Sequence, residues 1–227
     1  TLTKAFIPLQ EANSFTHEAQ HGQASVSVSQ WLGGTYEQAA AQRSTWGYLQ
    51  TGEAVLFQQN RYFQLYAGMY FSAAGSVRVE GEGTGVFIVQ TEQRALFTLG
   101  GPVEEKGRLQ YIDGCTDSLL IAPPVWGDPC LNLLHIPPHT SQSQHTHPSL
   151  RAGMIISGRG HCLTPEGRYP LAAGLTFVIP AGAQHSFITS DEALRVIAFH
   201  PDSDFGPTHE HHPMINRTYL KSTNEVS

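Results

Sequence analysis

The chain has 227 residues, of which 40% are hydrophobic and only 14% charged, a composition that supports a sizeable core and excludes disorder as the dominant state. Lys and Arg number 13 against 19 Asp and Glu, a formal net charge of -6, and no basic run tracks a phosphate backbone, so nucleic acid is not an expected partner. The longest apolar stretches, such as Leu119 to Val125, fall far short of the ~20 residues that span a bilayer, so no membrane partner is expected either.

In chain order, Glu11 to Ser29 is polar and aperiodic apart from a Val26/Val28 alternation, which predicts a loop or a covering strand. Tyr36 to Arg43 is a run of good helix formers behind the candidate cap Thr35, so a short helix is predicted there. From Tyr62 onward short β-favouring runs alternate with turn signals: Tyr62 to Phe71, Val77 to Glu80, Val86 to Gln90, Ala95 to Leu99, Leu109 to Ile112 and Ser118 to Ala122. More follow at Leu131 to Ile136, Gly153 to Ser157, Leu175 to Ile179, His185 to Ile188 and Leu194 to Phe199. Gly81-Glu82-Gly83-Thr84-Gly85 has no following Lys and predicts a hairpin turn rather than a phosphate loop. The fold class is therefore mostly β, of sandwich or barrel type. Composition breaks near Pro123 to Gly127, between an irregular β-rich half and a tighter one, and the chain is read as an N-terminal extension with a short helix (1–60), a β-rich segment (61–117), a β unit (118–200) and a tail (201–227).

Cys115, Cys130 and Cys162 are odd in number and form no CxxC pair, which predicts a reducing, cytoplasmic setting. Twelve His are present, and three fall where strand geometry can gather them. His145 and His147 are two apart and share one face of an extended segment, while His185 follows the turn Pro180-Ala181-Gly182. An HxH pair taken alone is either an exposed, hydrogen-bonded pair or part of a divalent metal site.

The surrounding residues resemble the cupin superfamily. Gly174, Pro180, Gly182 and His185 stand at the spacing of its second motif, with Thr189 where that motif has Asn. His145, His147 and Gly158 match its first, with His139 at the opening glycine and Arg151 at the metal-binding Glu. The resemblance implies a jelly-roll barrel over roughly residues 118 to 200, with the first half as a possible second, degenerate barrel. It also implies a three-His site for a divalent transition metal, Fe first and Zn, Ni or Mn as alternatives. Dioxygenase-like chemistry on a small organic substrate is the first expectation, and a non-catalytic binding or sensing barrel the second.

Arg151 cannot ligate a cation, so a substrate carboxylate is one expected partner for it, and an internal salt bridge or an outward turn the other readings. His209, His211 and His212 form either a second metal site or a solvated tail. His139 is expected in a loop after Pro137-Pro138, and His135, His161 and His200 in core or rim positions. Trp126, Phe177 and Phe187 either line a pocket or fill the core. An open jelly roll has edges and apolar faces to cover, so a homodimer is expected; light scattering at micromolar concentration that returned the 24.8 kDa monomer would show that the cover is internal.

Overall fold

The computed structural model describes residues 4–9, 16–92 and 94–202. The first half contributes β1 (Ile7–Leu9), β2 (Thr16–His21), β3 (Ala24–Trp31), β4 (Gly34–Gln38), β5 (Arg43–Gln58), β6 (Arg61–Tyr66), β7 (Tyr70–Ala74), β8 (Val77–Thr91) and β9 (Thr98–Gly100). The second contributes β10 (Leu109–Gln110), β11 (Thr116–Ile121), β12 (Cys130–Ile136), β13 (Arg151–Ser157), β14 (Arg159–Thr164), β15 (Gly167–Ala172), β16 (Thr176–Ile179), β17 (Ser186–Thr189) and β18 (Leu194–His200). No helix among the described residues is long and apolar enough to cross a membrane.

In the second half a seven-stranded sheet runs β1-β16-β13-β18-β12-β11-β10 and faces a three-stranded sheet, β15-β14-β17. Alternation along the larger sheet sends Leu134, Ile136, Ile155, Phe177, Ile179, Leu194 and Val196 inward, where they pack with Phe187 and Cys162. Their strand neighbours Leu131, Leu133, Ala152, Met154, Val178, Ile197 and Phe199 face the other way. They pack on Val26, Val28, Trp46, Tyr48, Val86 and Ile88 of the first half, so the outer face of this sheet is covered from within the chain.

The first half forms one sheet, β2-β3-β8-β5-β7-β9, with β4 on β8 and β6 on β5. It encloses a core of its own around Leu56, Leu65, Phe71, Val79 and Phe87. The helix expected at Tyr36 to Arg43 is not formed. Gly33 and Gly34 both have φ near +81, which starts the edge strand β4, and Tyr36, Glu37 and Gln38 pair with Val79, Arg78 and Val77. The buried Gln38 side chain then donates to the carbonyls of Ala40 and Gly75, so tertiary pairing overrides helix propensity.

Nor is Gly81 to Gly85 a hairpin turn; it lies inside β8, paired with β5 across a bulge between Leu49 and Thr51. A Cβ on Gly83 would stand 1.9 Å from the Thr51 carbonyl oxygen, and one on Gly52 1.9 Å from that of Glu82. The glycines thus permit two long strands to bend together at close approach.

Gly83→Ala should therefore destabilise the fold by roughly 1–3 kcal/mol. Gly22→Ala should cost less, because Gly22 also has a positive φ but no atom within 4 Å of its Cβ position. Urea denaturation of the two variants checks this, and equal losses would remove the close approach as the cause.

Candidate metal centre

The segment from Pro137 to Leu150 forms no regular strand, yet its backbone is tied to β17 and the turn before it. Thr189 N donates to the Thr140 carbonyl, and Gln142 N to that of Phe187. Further along the segment, His145 and His185 form an antiparallel bridge, each N–H donating to the other's carbonyl at 3.0 Å. Such a pair places its two side chains as direct cross-strand neighbours. Gly182 N donates to the His147 carbonyl at 2.8 Å, which holds the third imidazole beside them.

The ring centroids of His145, His147 and His185 lie 4.5 to 5.1 Å apart, and one ring nitrogen from each lies within 4.8 Å of the others. His145 Nδ1 is 2.8 Å from the Ser143 carbonyl and His185 Nδ1 2.9 Å from that of Ala183. As donors, these nitrogens leave Nε2 of both rings with a lone pair toward the common centre, the tautomer a cation requires. Ser143 is itself fixed, because its N–H and hydroxyl donate to the Asp113 carboxylate. That carboxylate stays below the usual range chiefly through these Ser143 bonds.

The three rings open on a cavity of about 500 Å³ inside the barrel. Phe177, Ile179, Phe187, Leu134 and Val196 give it apolar walls, and Arg151, His200, Asn132 and Asp117 interrupt them. Arg151 Nη1 donates to Ser149 Oγ at 2.8 Å and to the Leu150 carbonyl at 3.0 Å, and the Ser149 hydroxyl donates in turn to Asp202. Burial pushes the His147 ring down to about 3, helped by the Arg151 charge and the other two imidazoles. Burial likewise takes His185 to about 4, against the raising effect of the Ala183 carbonyl and with His145 and Arg151 lowering it further. His200 is held well below the ordinary histidine range, first by burial and then by Arg151 and His147. His147, His185 and His200 are therefore neutral imidazoles beside a fixed positive charge.

Sequence spacing locates His145, His147, His185 and Arg151 at this cavity, and the structure brings all four to it. Phe177 and Phe187 line it as well, whereas Trp126 is 72% exposed in the β11–β12 loop. His139 sits in an exposed turn at φ +57, off the ligand face. His161 lies on β14 against Arg168, and His135 projects from the opposite face of β12. His209, His211 and His212 lie outside the described residues. Sequence reasoning missed Asp113, Asp117 and Asn132 and left His200 as a core or rim residue. Inward alternation along Cys130–Ile136 could have placed Asn132 on the face of Leu134.

Residues 132–200 match the family model for a cupin domain. No curated protein matches the chain significantly. Among solved structures, a cupin 2 conserved barrel domain protein from Leptotrichia buccalis aligns with a TM-score of 0.60 at 14% identity, covering 84% of this chain and 89% of its own. Oxalate decarboxylase from Bacillus subtilis, which has Mn(II) centres, gives 0.55 at 11%, covering 91% and 79%. A variant of salicylate 1,2-dioxygenase from Pseudoaminobacter salicylatoxidans gives 0.57 at 8%, covering 78% and 70%. Residues 132–200 thus match a cupin domain, and the chain shares the barrel fold of these solved structures.

The depressed rings have a consequence for pH. In metal-free protein, His147 and His185 bind protons less readily folded than unfolded, so stability is full above the unfolded value near 6.5 and falls as pH drops toward about 4 and about 3. NMR of the imidazole nitrogens should show both rings neutral at about pH 5, with a lower melting temperature there than at about pH 7. Rings that titrate near the ordinary value would contradict this.

Proposed function

We propose that this protein is a metal-dependent cupin that acts on a small, carboxylate-bearing organic substrate, with dioxygenase-type chemistry as the first assignment. The observation that carries the reading is the convergence of three imidazoles and the Arg151 side chain on one apolar-walled cavity. The donor set fits a divalent transition ion: imidazole suits Fe, Zn and Ni, and ring nitrogens within 4.8 Å can close on ligand bonds of about 2.0–2.2 Å. Fe is the first choice, with Mn an alternative supported by the Mn(II) centres of the Bacillus subtilis enzyme. Held by three neutral ligands, such an ion keeps its charge undiluted and supplies Lewis-acid or redox chemistry at its open positions.

The chain's own residues then divide the work. His145, His147 and His185 hold the ion, and their Nδ1 contacts to Ser143 and Ala183 fix two of the rings. Arg151 grips the substrate carboxylate and orients the rest of the molecule toward the three rings. Phe177, Phe187 and Ile179 exclude water around it. Oxalate and salicylate, in the names of two structural neighbours, are both carboxylates. One observation favours a second reading, a non-catalytic binding barrel: Arg151 occupies the place of the motif's metal-binding carboxylate.

Elemental analysis of protein purified without added metal separates the two. A stoichiometric redox metal, lost in His185→Ala, together with oxygen consumption on a panel of small carboxylates, is the expected result; absence of metal favours the binding barrel. Arg151→Ala should leave metal content nearly unchanged and weaken carboxylate binding by roughly 2 kcal/mol or more. Unchanged affinity for every acid in the panel would remove Arg151 from the substrate site.

A further inference from the structure

Beyond the imidazoles and Arg151, the cavity has a second polar corner. Asp117 on β11 and Asn132 on β12 both line it, among Leu119, Leu134 and Val196. Their placement follows from register. Asp117 pairs with Leu134, and Leu119 pairs with Asn132, so the two polar side chains are diagonal neighbours on one sheet face. The Asn132 side chain and the Ser118 N–H stand near the Asp117 carboxylate and favour its charged form against burial. Asp117 Oδ1 and Asn132 Oδ1 are both buried and have no hydrogen-bond partner among the described residues. A buried acceptor without a donor is costly, so two of them side by side in an apolar wall call for a donor from outside the chain.

We infer that Asp117 and Asn132 form a second recognition site in the cavity, which binds a hydrogen-bond-donating group, an amine or a hydroxyl, at the end of the ligand remote from Arg151. This deepens the proposed function and rests on it for the carboxylate end only. The two ends are well separated. Gly153 pairs with Ala198, which pairs with Asn132, while Arg151 pairs with Ile179. Arg151 therefore stands two side-chain rows from Asp117, each row ~7 Å along the strand. In the row between, the small Ala198 side chain lines the cavity and leaves room for a ligand to lie across.

Tyr111 stands in the field of both ends. Burial raises its hydroxyl first, Arg151 lowers it and Asp117 raises it. An ionised Asp117 favours an ammonium group over a neutral hydroxyl, although burial has pushed its carboxyl up to about 6. Both ligand types share the donor the site requires, and the assay below distinguishes them.

The test measures binding of hexanoate, 6-hydroxyhexanoate and 6-aminohexanoate by calorimetry, with the four- and eight-carbon homologues, to the wild type, Asp117→Asn and Asn132→Leu. At the best-fitting length a donor-bearing acid should bind about tenfold or more tightly than the unsubstituted acid. That advantage should drop under about threefold in both variants while the unsubstituted acid binds as before, with folding checked by circular dichroism. An amine advantage over the hydroxyl that vanishes in Asp117→Asn assigns the charge to that carboxylate. Equal binding of substituted and unsubstituted acids at every length overturns the inference, whether a water or a strand-bridging role occupies the pair. If no acid binds, the carboxylate reading at Arg151 fails separately. Ligand-observed NMR with pentanol and pentylamine against butyl methyl ether then decides the donor site, and no preference over the ether overturns it.

Discussion

The pair of backbone hydrogen bonds between His145 and His185 is the constraint on which the rest of the site depends. It makes two imidazoles neighbours without asking for a regular strand on either side. Everything else along Pro137–Leu150 serves to keep that bridge in register. Thr189 Oγ1 accepts from Thr140 N, and Phe187 N donates to the buried Gln142 side chain, whose Nε2 reaches Cys115 Sγ. In an irregular segment at the mouth of a barrel, each backbone group needs such a partner, because water is only partly available to it.

Electrostatics complete what the backbone begins. Burial, helped by the nearby Arg151 guanidinium, keeps protons off His147 and His185 and leaves them ready to ligate. With three neutral ligands and an arginine at the fourth position of the motif, a loaded site would be more positive than one built with a carboxylate. The Ser149 link to Asp202 and the Asp117 carboxyl are the acidic counterweights on the cavity wall.

Strand runs from Leu131 onward were legible because each carries an apolar face bounded by Gly or Pro, and the motif glycines reported the turn before His185. The same reasoning failed where the chain's partners decide its structure. Tyr36 to Arg43 has the composition of a helix, but Tyr36 to Gln38 pairs with Val79 to Val77 as the end of β4, and Arg43 opens β5 against Thr91. Gly81 to Gly85 reads as a turn because glycine usually marks one; here it marks a crossing of two backbones that no local pattern reveals. Arg151 could be located because a motif counts residues. Asp117 and Asn132 required the β11–β12 register, which depends on contacts between strands rather than on either strand alone.

The strand β1 has a wider meaning. Ile7, Pro8 and Leu9 pair with Val178, Phe177 and Thr176, and Phe6 stacks on Phe177, so a segment preceding the whole first half closes the sheet of the second. Pro8 suits this edge, since it presents no N–H to a further strand. The two halves are consequently interlaced rather than strung in series. The cavity-bearing barrel cannot finish its sheet until the chain has looped through the other core, and this makes folding non-local and slow relative to a chain of independent barrels. It also means that a fragment cut at the apparent midpoint would bare the β16 edge, turning a covered ladder into a template for self-association.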